Sequence, residues 1–376
     1  MTEKEYRMWL CAVVTDNAIK LRLLKHFTSA AGVYEADAEE LENVGVTEAE
    51  AAKIAASRTE KHIERLYRSL DRCNARFVSS EEETFPEPLR VISDAPVGLF
   101  YQGTLPKKGQ CSVAIVGTRL SSPYGEDVAV RFGRVLSEAG VTVVSGLAYG
   151  IDAAAHRGAV EGGGSPVAVL GSGIGTVYPK ENAILYKEVV RYGCVMSEYA
   201  PGVPGLKHHF PHRNRLISGL SEAVIVVEAK LQSGTMITVD RALEQGRDVY
   251  AVPGRITDKN SEGCHRLIVQ GAQLVTDPGE ILAGLRDRGW LFVTEESDGQ
   301  QTFGEKCYTS EKNEKLALAS EEKMVYAFLR LSPKGFDRLV WESGLTPSVL
   351  MQRLYSLERD GLIRRTSDGM YCAVDQ

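Results

Sequence analysis

The spacing of apolar positions changes character along this chain. Over residues 1–72 it is helical. Leu21, Leu23, Leu24 and Phe27 fall close together, and "TEAEAAKIAASRTEKHIERLYRSL" carries the same spacing behind a start signal at Thr47. Residues 73–111 are irregular and proline-rich. From about 112 to 287, short apolar runs rich in β-branched residues alternate with amphipathic stretches. "SVAIVG", "VTVVSG", "PVAVLG", "CVMSEY", "AVIVVEA", "DVYAVPG" and "AQLVTD" read as strands. "YGEDVAVRFGRVLSEAG", "IDAAAHRGAVEGG", "ENAILYKEVVRYG", "TMITVDRALEQG" and "CHRLIVQG" read as the helices between them. Strands that are apolar throughout belong to a parallel sheet covered on both faces, which predicts a doubly wound α/β domain. A polar linker follows at 288–317. Residues 318–376 then spell three helices and a hairpin, "EEKMVYAFLRL", "FDRLVWESG", "TPSVLMQRLYSLERDG" and "LIRRTSDGMYCAV", a winged helix-turn-helix with Thr346 as N-cap and Gly361 as stop.

Composition adds bounds. A chain of 376 residues predicts two or three domains, and 43% hydrophobic residues suffice for packed cores. No apolar run is long enough to span a bilayer, and the charged N-terminus lacks a signal-peptide core, so a soluble, cytoplasmic protein is expected. Seven scattered cysteines without a Cys-x-x-Cys pair read as free thiols. The formal net charge of -6 excludes a protein that is basic all over, but phosphates respond to a local patch. Such a patch exists. No Asp or Glu occurs between Glu198 and Glu222, where "GLKHHFPHRNRLISGL" places Lys207, Arg213 and Arg215.

The strand ends carry the candidate chemistry. They read "VGTRLSS", "SGLAYGID", "LGSGIGTVYP", "SEYAPG", "VEAKLQSGT" and "VPGR". Open α/β sheets bind ligands there, glycine lets a ligand approach the backbone, and helix starts favour anions. The first turn is Gly117-Thr118-Arg119 rather than G-x-G-x-x-G, and no G-x-x-x-x-G-K-[ST] occurs, so neither a dinucleotide nor a P-loop is supported and no cofactor is expected. Arg119 suits a phosphate, with hydroxyls at Thr118, Ser121 and Ser122 beside it. Asp152 and His156, four apart on one helix, could form an acid–base pair or tie a helix start to the core. Lys207 with Phe210 suits a single strand: phosphate takes the charge and an unstacked base takes the ring. Of Arg213 and Arg215, two apart on a helix, one is expected to face the groove and the other a carboxylate such as Glu198 or Glu228. His208, His209 and His212 lack a nearby carboxylate to complete a metal set and stay unassigned.

These motifs follow one another in an order that resembles the DNA-processing protein A family (DprA/Smf). "VAIVGTRLSSPYG", "SGLAYGIDAAAH", "VAVLGSGIGTVYPKEN", "SEYAPG", "FPHRNRLISGLSEAVIVVEAKLQSGTMITVDRALEQGRDVYAVPG" and "SEGCHRLIVQGA" carry the resemblance from about Phe85 to Glu280. It implies an extended Rossmann-like domain at 73–287 flanked by a SAM-like helical module at 1–72 and the winged helix at 318–376. The piece "LENVGVTEAEAAKI" looks like a helix-hairpin-helix turn with Thr47 at its second glycine position. The resemblance implies a protein without enzymatic activity. It would bind single-stranded DNA, form homodimers and load RecA recombinase onto strands covered by single-strand-binding protein in natural transformation. The family's contacts fall on Gly117, Thr118, Arg119, Gly146, Gly173, Lys207 and Phe210, with Arg213, Asn214 and Arg215 beside them. The alternative is a nucleotide-binding or nucleotide-processing relative of the lysine-decarboxylase-like group. "LQSGTMIT" aligns Gly234 and Thr235 with that group's signature but puts Thr238 where its catalytic glutamate stands.

Overall fold

The computed structural model describes residues 1–291, 320–331, 334–366 and 369–374. The chain divides into two units, Met1–Thr294 and Glu295–Gln376. Six helices open the first: α1 (Glu3–Val13), α2 (Asn17–Phe27), α3 (Ala30–Glu35), α4 (Ala38–Asn43), α5 (Glu48–Ser57) and α6 (Glu60–Arg72). Each begins on Thr, Asp or Ser, whose side chain accepts a hydrogen bond from first-turn amides that have no partner inside the helix. Thr47 closes a capping box with Glu50, so the position where a DNA-clamping hairpin would use glycine instead starts a helix. Trp9, Leu10, Leu23, Leu41 and Ile54 build the core of these helices. Met8, Cys11, Leu66 and Leu70 pack on Phe77 and Phe100 of the sheet that follows.

That sheet has nine strands: β1 (Arg76–Ser79), β2 (Gly98–Gly103), β3 (Ser112–Val116), β4 (Thr142–Ser145), β5 (Val167–Val169), β6 (Cys194–Ser197), β7 (Ala223–Val226), β8 (Asp248–Ala251) and β9 (Gln273–Leu274). Their order is β1-β2-β6-β5-β4-β3-β7-β8-β9. From β6 to β9 every pairing is parallel. At the other end β2 pairs antiparallel with β6, and β1 with β2. The segment 73–111, expected to be irregular, therefore supplies two strands; its short apolar runs are separated by a proline-rich stretch that hides them. The seven expected strands all form. β3 is buried at every position, which is why it shows no alternation.

The connecting helices are α7 (Pro123–Glu138), α8 (Ile151–Glu161), α9 (Ala183–Tyr192), α10 (His209–Gly219), α11 (Gly234–Glu244) and α12 (Glu262–Val269), with α13 (Pro278–Asp287) after β9. Val113 and Ile115 turn toward Phe132, Leu136 and Ala155 on one face. Ala114 and Val116 turn toward Leu216, Ile217 and Val239 on the other. The chain steps outward from β3 to β6, then returns to lay β7 on the far side of β3. The crevice between the ends of β3 and β7 is thus the switch point where such sheets place ligands.

In the second unit α14 (Ser320–Leu331), α15 (Phe336–Ser343) and α16 (Pro347–Arg359) precede the hairpin β10 (Ile363–Arg365) and β11 (Tyr371–Ala373). Val325, Leu329, Leu339, Leu350, Leu354, Leu357 and Tyr371 form its core. This is a winged helix. The expected linker lies, from residue 292 onward, outside the described residues.

Candidate nucleic-acid interface

The switch-point crevice is filled by the protein itself. Glu228, just past β7, is 3% exposed and sits at the start of α7. Its carboxylate accepts hydrogen bonds from the Ser122 amide at 2.9 Å and from the Ser122 hydroxyl. A Cβ on Gly125 would lie 2.5 Å from that carboxylate, so glycine there makes room for it. At the next strand end Asp152, in the first turn of α8, accepts from the Gly146 amide at 3.2 Å. The start of α7, expected to offer amides to a phosphate, is therefore occupied by an internal carboxylate, and a second carboxylate takes the loop amide at the end of β4. The hydroxyls expected to help Arg119 are engaged as well. Thr118 Oγ1 accepts from the Leu120 amide, and Ser121 donates to Glu126. Asp152 and His156 are no exposed acid–base pair. His156 is fully buried, and burial, reinforced by Arg213, takes its ring down to about 3.

The basic stretch forms α10, with His208 as its N-cap. Pro211 is the third helical residue, where a missing N–H breaks no helical bond. The helix sorts its charges by direction. Arg213 is 3% exposed and donates through Nη1 to the carbonyls of Gly146 (2.8 Å) and Val169. Burial lowers its guanidinium to about 10 against the pull of Asp152. Arg215 is 1% exposed; its Nη2 lies 2.9 Å from Glu198 and its Nε 2.8 Å from Asp94. Both arginines point inward, which corrects the expectation that one faces the groove. Every other helical position is not a face: residues two apart differ by about 200° around the axis, and here the sheet lies under one and the β6 end under the other. Asn214, between them, donates to the Gly234 carbonyl at 3.3 Å. Gly117 and Gly173 are close-packed on the carbonyls of Glu228 and Ala200.

Lys207, just before α10, is exposed and has no ion-pair partner among the described residues. Phe210 is half-buried, its ring over Gly171, where a Cβ would come within 2.8 Å. The exposed Arg119 guanidinium lies 4.9 Å from the centre of that ring. The structure thus brings together Arg119, Lys207 and Phe210 at one rim. The histidines fasten this rim. His209 stacks on Tyr199 at 4.1 Å, His212 Nδ1 lies 3.3 Å from the Tyr199 hydroxyl, and His208 meets His209 edge-on. They hold the loop after β6, which carries Lys207, to the helix. Among the described residues no group of His, Cys, Asp and Glu could hold a metal ion.

Sequence reasoning missed Tyr178, whose ring centre is 5.7 Å from Phe210 and which is half-exposed, and the exposed Lys180 beside it. Both lie in "GTVYPKEN", and an aromatic two residues from a lysine was the available signal. In the winged helix, Arg353 turns toward Glu321 at 2.9 Å, leaving Met351, Gln352 and Tyr355 on the outer side of α16.

An extended Rossmann-like sheet with Glu228 closing its switch point and Arg119, Lys207 and Phe210 at its rim defines the class: an α/β protein with a cationic, aromatic strand-end rim. A profile of DNA recombination-mediator protein A matches residues 76–286, and one of the DprA winged helix domain matches residues 310–369. The chain belongs to the DNA recombination-mediator protein A family, also called DprA or Smf. It is 48% identical over 202 residues to the DNA processing protein DprA of Streptococcus pneumoniae, covering 54% of this chain and 71% of that one. To Protein Smf of Escherichia coli it is 43% identical over 251 residues, covering 66% and 67%. The X-ray structure of the Streptococcus pneumoniae protein superposes with a TM-score of 0.65 at 37% identity, over 75% of this chain and 98% of that one. DNA processing protein A from Helicobacter pylori, in a structure described as revealing its single-stranded DNA binding mode, gives a TM-score of 0.51 at 27% identity, over 57% and 97%.

Proposed function

We propose that this protein binds single-stranded DNA along the carboxyl-end rim of its sheet and hands the strand to RecA recombinase, without catalysing a reaction. The observation that carries this reading is the Arg119–Phe210–Lys207 rim, supported by family membership and by the Helicobacter pylori relative. In the free protein Arg119 covers the Phe210 ring, a contact of about 0.5–1 kcal/mol at an exposed site. A base stacking on the same ring contributes about 1–3 kcal/mol. Strand binding therefore favours an exchange in which the base takes the ring and Arg119 moves to a phosphate. Tyr178 extends the stacking surface, and Lys207 and Lys180 track the backbone. Arg213, Arg215 and Asn214 hold α10 in place rather than touch the strand.

The nucleotide-binding alternative finds its phosphate seat at α7 taken by Glu228, and the Gly146 amide at the end of β4 taken by Asp152. Thr238 is buried on α11 and supplies no carboxylate for nucleoside cleavage. On this reading the working protein is a cytoplasmic homodimer, with single-strand-binding protein as a further partner. Ile256 and Val269, highly exposed, and Leu274 on the open edge strand β9 are the self-association surface this reading uses. No helix among the described residues is long and apolar enough to cross a membrane.

The test is fluorescence anisotropy with oligo-dT and with duplex of equal length, across salt, with free nucleotides as competitors. Tighter oligo-dT binding that millimolar AMP does not displace is expected. Preference for duplex, or displacement by AMP, would sink the reading. Stimulation of RecA ATP hydrolysis on strands covered by single-strand-binding protein tests the loading step.

A further inference from the structure

A lysine of the N-terminal helices is fully buried, with no hydrogen-bond acceptor for its ammonium among the described residues: Lys20 of α2. Burying such a charge is expensive unless another charge uses it, and a methionine would fill the space more cheaply. Glu198, at the end of β6 and 2% exposed, lies beyond ion-pair distance of Lys20 and feels its charge through the buried interior. Burial alone would raise that carboxyl; Arg215, then Lys20 and His212, outweigh it, and the net shift is downward.

A second connection runs beside the first. Asn17, one turn earlier on α2, donates from Nδ2 to the carbonyls of Asp94 (3.1 Å) and Ala95 (3.0 Å). The Asp94 carboxylate in turn lies 2.8 Å from Arg215 Nε. Both lines from α2 therefore converge on one side chain of α10. Glu198 also lies 3.6 Å from His212, on the same helix, and leads directly into Tyr199 and the loop that carries Lys207. Lys20 and Arg215 balance Glu198 and Asp94. Without Lys20, two carboxylates share one guanidinium.

We propose that Asn17 and Lys20 are positioning residues for the strand grip: the N-terminal helices serve DNA binding by bracing α10 through Glu198, Asp94 and Arg215, without touching the strand. The proposal rests on the reading of α10 and its preceding loop as the grip. Neither residue lies in the stretch matched by the DNA recombination-mediator profile.

Oligo-dT anisotropy across salt, with thermal melting alongside, tests it on the full chain. Lys20→Met is expected to weaken binding about tenfold while leaving the salt slope unchanged, because no phosphate contact is lost. Lys20→Met/Glu198→Gln, which removes the unbalanced negative charge, is expected to recover most of the loss. Asn17→Ala is expected to weaken binding about threefold at unchanged slope. Variants that melt lower yet bind like wild type would make both residues merely structural and overturn the proposal. So would a double variant no better than Lys20→Met, or a slope lower by ~0.7, which would put Lys20 on a phosphate. If Lys20→Met does not fold, Asn17→Ala decides by the same criteria. A wild-type chain that fails to bind oligo-dT, or a Lys207→Ala variant that binds unchanged, would instead remove the underlying reading of the grip.

Discussion

At the scale of single residues, charge type says less than charge direction. Lys207, Arg213 and Arg215 stand within nine positions of one another, yet only Lys207 faces solvent. Lys207→Ala should lower the log–log salt slope of oligo-dT binding by ~0.7, the signature of one lost phosphate contact; an unchanged slope would take Lys207 out of the interface. Phe210→Ala should cost ~1–3 kcal/mol of strand affinity, and equal binding by wild type and variant would exclude stacking. Arg119→Ala should show two opposed effects. It removes a phosphate contact and it uncovers the Phe210 ring, so its affinity loss should be smaller than that of Lys207→Ala at high salt, where charge is screened and stacking persists.

At the scale of elements, α10 is a helix whose inner side is ionic. Two arginines are engaged by strand-end carbonyls and by carboxylates from the end of β6 and the loop before β2. Arg215→Ala leaves Glu198 and Asp94 without their guanidinium and should destabilise the first unit by ~3–5 kcal/mol, read as a lower urea midpoint at unchanged m-value. A variant within 1 kcal/mol of wild type, on the scale of an exposed pair, would mean the network is not under strain from burial. Because Arg215 makes no strand contact in this reading, whatever variant protein remains folded should keep the wild-type salt slope.

At the scale of the whole molecule, stability should depend on pH through His156. Its folded pKa of about 3 lies below the unfolded value, so below about pH 6.5 the unfolded chain binds a proton that the folded one refuses. Stability from this group is fully present above pH 6.5 and falls as pH drops, by ~3 kcal/mol between pH 6.5 and 4. Glu198 acts in the same direction at lower pH: its depressed pKa contributes stability above the unfolded carboxyl value that is lost on further acidification. Urea titrations of wild type and His156→Leu at pH 7 and pH 4.5 check the histidine part. The variant should lose less stability on acidification, and parallel losses would show that His156 is not the group responsible.

The alternation of apolar runs and amphipathic stretches determined the doubly wound sheet, the helical N-terminus and the winged helix, because burial on both faces of a parallel strand leaves a pattern that needs no neighbour to read. The rim residues Arg119, Lys207 and Phe210 were legible for a related reason: glycine-marked strand ends all lie on one edge of such a sheet. β1 and β2 were not legible, since runs of four and six residues separated by a proline-rich stretch carry no period until β6 offers β2 an edge and β2 offers one to β1. Only the tertiary structure decided where the charges point. A 200° turn between Arg213 and Arg215 predicts opposite faces on an isolated helix, but α10 is walled on both sides, by Asp152 and the β4–β5 ends and by Glu198 and Asp94. Likewise Glu228 reads as a strand-end carboxylate until β7 is laid beside β3, and only then does it close the crevice. Local spacing fixes which face of an element a side chain occupies; what waits on that face is set by residues that only the fold brings there, from 17 positions away for Glu198 and Arg215 to 106 for Ser122 and Glu228.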